Sequence, residues 1–461
     1  VTTGIAAIAS TPKSATPAVE AAWPSATYAW YVSGVLALAY CFSFIDRQIL
    51  NLLVVPIQQD LGISDTQMSL LQGLAFALFY VTLGVPFGLL ADRWNRRNLI
   101  IAGVTTWSVM TAMCGLADSF SELFVARLGV GVGEAVLTPA AMSILSDYFP
   151  SHKLARAAGV YTSGSSIGAT LAFVVGGTVA SAVAASPSIV LPLVGEIRSW
   201  GATFIIVGVP GLLVAVLMLS IREPVRRGRL AVDVAATRLP IGAVLQLIWT
   251  YRGAYGGLYL GLAMQILLTY AMQSWIPAYF MRVHDWSMSQ LGLWYGLVIL
   301  FGSVPGLMFG AWLGDRLVQR GHADGHIRVA QLGCTLSIVP CVLTALVPDP
   351  VVAMLLLGLS NFFFSFAFGV GPAALQIMTP NQLRAQVAAI YVLVMGLVGL
   401  LLGPTSVALL TDYAFGDPMK VGYSISIVAA VTGPISAALL FFARRPYLRA
   451  IQTASQWVPR I

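Results

Sequence analysis

The sequence predicts an all-α membrane protein with twelve transmembrane helices in two pseudo-symmetric six-helix bundles. Three observations predict it: an apolar composition, twelve apolar runs of spanning length, and a repeated loop that divides those runs six and six. Of the 461 residues, 58% are hydrophobic and only 9% are charged, whereas soluble domains carry roughly 25% charged residues. The formal net charge of +7 does not point to nucleic acid, because the 25 Lys and Arg stand singly or in short clusters between apolar runs. A nucleic-acid surface needs a basic stripe or patch.

Crossing the hydrocarbon takes about 20 apolar residues of helix. Runs of that kind fall at 30–54, 68–91, 99–116, 123–145, 157–182 and 202–221, then at 255–280, 291–313, 327–346, 351–375, 387–410 and 423–443. Before them, residues 1–26 are mostly Ala, Thr, Ser and Pro, without the basic start and compact apolar core of a signal peptide. They are expected to form a disordered cytoplasmic tail. Cys41, Cys114, Cys334 and Cys341 sit inside apolar runs without metal-ligand or disulfide-framework spacing, and read as small buried hydrophobes.

Orientation follows from the flanking charges, because basic residues are retained on the cytoplasmic side. The loops after even-numbered spans and the segment after the last span hold nineteen Lys and Arg, and the opposite face holds three, Arg198, Arg282 and Lys420. Both termini are therefore expected in the cytoplasm. The Arg-rich stretch 222–252 reads as a linker between an N-terminal bundle over 27–221 and a C-terminal bundle over 253–443, with a second cytoplasmic tail over 444–461. A weak repeat supports this division: Gly88-Leu-Leu-Ala-Asp92-Arg93 follows the second span and Ala311-Trp-Leu-Gly-Asp315-Arg316 follows the eighth. Two related halves are the construction that lets a protein rock about a midplane site.

The segment from Gly88 through Asp92, Arg93, Trp94, Asn95, Arg96 and Arg97 resembles the signature loop of the major facilitator superfamily, G-x-x-x-D-R/K-x-G-R/K-R/K. Asn95 replaces the preferred Gly, a mild departure because Asn also tolerates left-handed backbone angles. A more specific resemblance covers nearly all of the first half. Ser43-Phe-Ile-Asp46-Arg47-Gln48, Pro56-Ile-Gln-Gln-Asp60-Leu-Gly62, Ser64-Asp65-Thr66-Gln67, Gly131-Val-Gly133-Glu134-Ala135, Thr138-Pro139-Ala140 and Ser146-Asp147-Tyr148-Phe149-Pro150 are similar to the spinster group of that superfamily. The resemblance implies the major facilitator fold and secondary active transport by alternating access. It further implies an amphipathic, anionic, lipid-like substrate of the lysophospholipid or phosphorylated sphingoid-base type, and a bacterial inner membrane. A small organic anion or drug carrier is the alternative within transporters, and an uncoupled lipid or ion pathway the alternative from another class. No nucleophile and base pair or metal constellation points to an enzyme. The expected partners are substrate, protons and membrane lipids, with no cofactor, no metal and no nucleic acid, and the expected state is a monomer.

Charges near the bilayer centre are costly, about 2.5–3.5 kcal/mol each on insertion scales, and mark functional sites. Asp46 and Arg47 fall in the first span and Arg127 and Glu134 in the fourth, the latter two seven residues apart and so on one helix face. The offset from Asp92 to Asp315 carries Asp46 onto Thr269, and Arg127 and Glu134 onto Pro350 and Leu357, so the second half lacks these charges. Charge chemistry is expected in the first half. His152, His284, His322 and His326 are expected in loops. Proton coupling must then use a carboxylate, Asp46 or Glu134, and Glu134 can serve either as proton carrier or as partner of an Arg. Arg47 and Arg127 are candidates for an anionic headgroup. Tyr270, Gln273, Asn361 and Phe364 are candidates for the second-half wall of the cavity. Asp92, Arg93, Arg96, Arg97, Asp147, Arg156, Asp315 and Arg316 are candidates for a cytoplasmic gate of ion pairs. The small residues Gly164, Gly168, Gly176 and Gly177 of the fifth span read mainly as a close-packing stripe.

Overall fold

A computed structural model describes residues 23–186, 188–191, 195–226 and 241–454. Twelve helical spans follow one another: α1 Ala26–Leu52, α2 Asp65–Ala91, α3 Arg96–Cys114, α4 Phe120–Tyr148, α5 Ser151–Val183 and α6 Ser199–Met218, then α7 Arg252–Val283, α8 Met288–Gln319, α9 Gly325–Thr344, α10 Pro350–Ile377, α11 Gln386–Phe415 and α12 Val421–Ala454. Eleven of them are long and apolar enough to cross a membrane. The other, α3, has 19 residues and opens on Arg96-Arg97-Asn98, which lowers its hydropathy without shortening it below spanning length.

Helix starts follow local chemistry. Ser64 and Gln67 close a capping box at α2, and Ser119, Ser287 and Asp349 cap α4, α8 and α10 by accepting from the first free amides. Asn95 does the same for α3, accepting from the Asn98 amide with φ −70 and ψ 111. It is an N-cap in extended backbone, so its tolerance for left-handed angles is not drawn on here. His152 and His326 lie in the first turns of α5 and α9 rather than in loops.

The halves differ from the expected boundaries at the linker. The expected tail over 1–26 lies outside the described residues as far as 22, as do Arg227, Arg229 and Arg238 of the linker and the segment from 455 onward. Within 222–252 the chain forms a short apolar helix, Ile241–Thr250, with Ala243, Val244 and Leu247 buried. The last span runs on through Arg444 and Arg445 to Ala454, so most of the expected second tail is helix. A hairpin of β1 Ser188–Leu191 and β2 Gly195–Arg198, with Ser188 opposite Arg198, joins α5 to α6.

In lipid, close backbone approach substitutes for the hydrophobic drive between helices. A Cβ on Gly168 of α5 would stand 2.2 Å from the Cys41 carbonyl oxygen of α1, and one on Gly292 of α8 would stand 2.1 Å from that of Phe173 in α5. The first contact holds the N-terminal bundle together; the second joins the two bundles. α8 and α11, both at the junction, carry π-helical segments at Ile299–Ser303 and Leu397–Leu402, just before Pro305 and Pro404. A proline removes one helical donor, and a widened turn absorbs the mismatch.

Among the described residues, the hydrogen bonds between halves lie at the end opposite the basic loops. Arg282 of α7 bonds Asp65 at 2.6 and 3.0 Å and Gln58 at 2.5 Å, the Thr66 amide donates to Asp412 at 2.7 Å, and the Ser289 amide donates to Ser181 at 2.8 Å. Below them Gln72 donates to the Ser274 carbonyl at 3.2 Å and to Asn51, which donates to Gln48. Toward the basic end Val81 of α2 still meets Gly396 of α11. Beyond that contact no ion pair or hydrogen bond joins the halves among the described residues. Among the described residues the polar bonds between the halves thus gather at the far end.

Candidate functional site

Asp46 and Arg47 are consecutive on a helix, hence about 100° apart, and point at different neighbours. Arg47 turns to α4 and pairs with Glu134 at 2.5 Å, while Ser43, one turn earlier on the same face, donates to the same Glu134 oxygen at 2.6 Å. The guanidinium lies 4.7, 4.3 and 4.8 Å from the ring centroids of Phe44, Phe76 and Tyr80. Three π faces and one carboxylate replace its hydration shell. Tyr270 of α7 is near enough to interact with this guanidinium, so the pair sits where the two halves meet.

Asp46 turns instead toward α3 and the outer part of α4. Its backbone carbonyl accepts from Arg127 at 3.3 Å, and its carboxylate faces Thr111 and Arg127. Neither carboxylate oxygen makes a hydrogen bond of good geometry, and the Arg127 Nε and Glu134 Oε1 are likewise unpartnered. All four charged residues are buried, Asp46 completely. Two cations and two anions within one bundle thus balance overall while leaving oxygens open for a proton or a ligand group.

The second-half candidates divide. Tyr270 reaches the charged cluster. Gln273 is half-buried on α7, and Phe364 is buried in the large apolar cluster shared by both halves. Asn361 turns to α8: its Cβ packs where Gly302 leaves room, and its amide donates to the Leu357 carbonyl at 2.9 Å. The neighbouring Phe362 and Phe366 stack with Phe309 of α8, so this part of the aromatic run packs helices.

At the basic end Arg96 is the hub. It bonds Asp147 at 2.5 Å, Glu223 at 2.8 Å and the carbonyl and hydroxyl of Ser143, while Glu223 also accepts from the Arg97 amide. Arg226 donates to the carbonyls of Asp92, Ala91 and Trp94 and so clasps the end of α2. The Asp92 carboxylate, Arg93 and Arg156 join no ion pair among the described residues; Arg316 stacks 5.0 Å from Trp312, and Asp315 meets His326 at 3.3 Å. Asp92 and Asp315 flank the ends of α2 and α8, as the repeat implied, but here neither bridges the halves.

Several residues were missed in the sequence. Arg282 was counted only toward topology, and Asp65 stood only inside a resemblance motif; their pairing across the halves has no sequence signal beyond Arg282 being rare on its face. Glu223 and Arg226 fall in the stretch expected as linker, and they hold the ends of α3 and α2 instead. Asp324, before α9, accepts from Arg328 at 2.7 Å and Arg444 at 3.1 Å and ties α9 to α12. Burial works against its charge, but the two Arg hydrogen bonds outweigh burial and hold its carboxyl below the usual carboxylate range. Its stabilisation is therefore present above the ordinary carboxylate pKa and lost as pH falls through the lowered folded value. Asp324→Asn is expected to lower stability near neutral pH by about 1.5–3 kcal/mol, read as a drop in the melting temperature of the purified protein that narrows on acidification. An equal melting temperature at neutral pH would show the cluster to be idle.

Two six-helix bundles that meet through hydrogen bonds at one end, with four charges buried inside the first of them, define a membrane transporter. The Major Facilitator Superfamily model matches residues 36–404, and the chain belongs to that superfamily. The chain is 27% identical to an MFS-type efflux pump of Mycolicibacterium smegmatis over 92% of this chain and 94% of the pump. It is 26% identical to a probable L-galactonate transporter of Escherichia coli strain K12 over 77% of each. Its fold matches the crystal structure of a bacterial homolog to the human lysosomal transporter Spinster, inward-facing and unoccupied, with a TM-score of 0.75, 26% identity and coverage of 95% of this chain and 100% of that one.

Proposed function

We propose that this protein carries an amphipathic organic anion across the membrane by alternating access, coupled to protons, with the basic end cytoplasmic and open. The carrying observation is the Arg47–Glu134 pair, buried against Phe44, Phe76 and Tyr80 with Tyr270 across the junction. An anion entering from the open end competes with Glu134 for Arg47, and protonation of Glu134 releases the guanidinium to it. Coupling then follows from proton and substrate affinities that differ between the two states. Aromatic walls suit the apolar part of a lipid-like anion, the substrate class that the resemblance to the spinster group implies, and we favour that class. A small hydroxylated acid is the second reading, favoured by the likeness to the probable L-galactonate transporter.

The test is reconstitution into proteoliposomes with lysophosphatidic acid and D-galactonate as probes. Saturable counterflow with one class, and accumulation that follows an imposed pH gradient, is the expected result. Flux of both classes without saturation or counterflow would instead make the protein an uncoupled pathway.

A further inference from the structure

Gln265 of α7 is 2% exposed, and neither its amide oxygen nor its amide nitrogen has a hydrogen-bond partner. A buried amide left open on both sides is rare in native proteins and calls for a specific explanation. It borders a notch between α7, α10 and α11 lined by Leu262, Ile266, Ala367, Tyr391 and Met395, with exposed Phe368 at the rim. The space open to a water-sized sphere is only about 10 Å³, room for one water or one hydroxyl. Tyr391 stands against Tyr259, ring centroids 6.1 Å apart, and the Tyr259 hydroxyl is fixed on the Val387 carbonyl at 2.9 Å.

We propose that Gln265, with Tyr391 beside it, is a hydroxyl-recognising subsite and that the transported anion carries a hydroxyl which enters this notch. The inference rests on the reading that the cavity takes an organic anion. The notch is too small for a whole solute, so its occupant is one group of a molecule held elsewhere. The anchor for charge is Arg47, which Tyr270 of the same helix α7 meets. Gln265 lies five residues from Tyr270, about 7–8 Å along the helix axis toward the basic end. Five residues also turn Gln265 about 140° around α7 from Tyr270, and an axial step of that length suits the carboxylate and a far hydroxyl of a six-carbon sugar acid better than the phosphate and 2-hydroxyl of a lysolipid, which are four bonds apart. The amide can donate to the hydroxyl oxygen and accept its proton in a hydrogen bond, which an apolar wall cannot do. A site built this way rejects the analogue lacking the hydroxyl, because its polar atoms then stay unpaired.

The test compares half-saturation of transport in proteoliposomes for two pairs of probes: D-galactonate with its monodeoxy forms, and lysophosphatidic acid with its 2-deoxy form. In the wild type the hydroxylated member of the transported pair should half-saturate at a concentration lower by about tenfold or more. Gln265→Leu should compress that ratio to about twofold or less, and Tyr391→Phe should compress it partly. Because Leu fills the space without an unpaired amide, Gln265→Leu should melt at or above the wild-type temperature. A ratio undiminished in Gln265→Leu, no preference for the hydroxyl in the wild type, or a lowered melting temperature would overturn the subsite while leaving the organic-anion reading intact. Transport of none of these probes would overturn that reading and the subsite with it.

Discussion

Glu134→Gln or Asp46→Asn is expected to abolish proton-driven accumulation while substrate exchange at equal pH persists. These two carboxylates are buried in the first half, one bonded to Arg47 and Ser43, the other open beside Thr111 and Arg127. Both substitutions keep side-chain size and remove titration. With one proton per substrate, a pH difference of one unit supplies about 1.4 kcal/mol, so the wild type should reach about tenfold accumulation and the coupling variant about onefold. Glu134→Gln also frees Arg47 from the carboxylate it pairs with, so anion binding at equal pH should hold or tighten. Driving force and affinity then separate in one experiment. Two variants that both accumulate substrate with wild-type pH dependence would place coupling elsewhere, in sodium or in the substrate's own charge.

Arg282→Ala is expected to open the far end. Asp65 is buried and Arg282 half-buried; the two are bonded twice to each other and braced by Gln58 and the Pro418 carbonyl. Removing one partner of a buried pair costs about 3–5 kcal/mol, and that cost falls on the closed state, since an opened end hydrates the remaining carboxylate. At about 1.4 kcal/mol per tenfold, the population shifts by two to three orders of magnitude toward the open form. Ser69, fully buried in α2 beside Thr405, is a suitable reporter because the native cysteines Cys41, Cys114, Cys334 and Cys341 are all buried. A Ser69→Cys protein should react with a membrane-impermeant maleimide at least about tenfold faster once Arg282 is Ala. An unchanged rate would mean that packing such as Gly292 on Phe173, not the ion pair, keeps that end shut.

The twelve spans, the six-and-six division and the four buried charges were legible in the sequence because they depend on local quantities. Hydropathy over about 20 residues decides what can cross a bilayer, and a charge inside such a run is costly whatever surrounds it. The short helix Ile241–Thr250 escaped because ten residues inside an Arg-rich stretch are too few for that signal. Asn95 was read through its tolerance for left-handed backbone, yet at a helix start its side chain does better by capping. Partner choice was beyond the sequence. Asp46 and Arg47 are neighbours in the chain but part by about 100° around α1, so the rotation of that helix against α3 and α4 decides that Arg47 takes Glu134 and Asp46 does not take Arg47. The same holds across the junction, where Arg282 finds Asp65, and within the second half, where Asn361 turns to Gly302 of α8. Burial cost belongs to each residue and its immediate run; pairing belongs to the crossing and rotation of whole helices, which close glycine contacts set and only the tertiary structure contains.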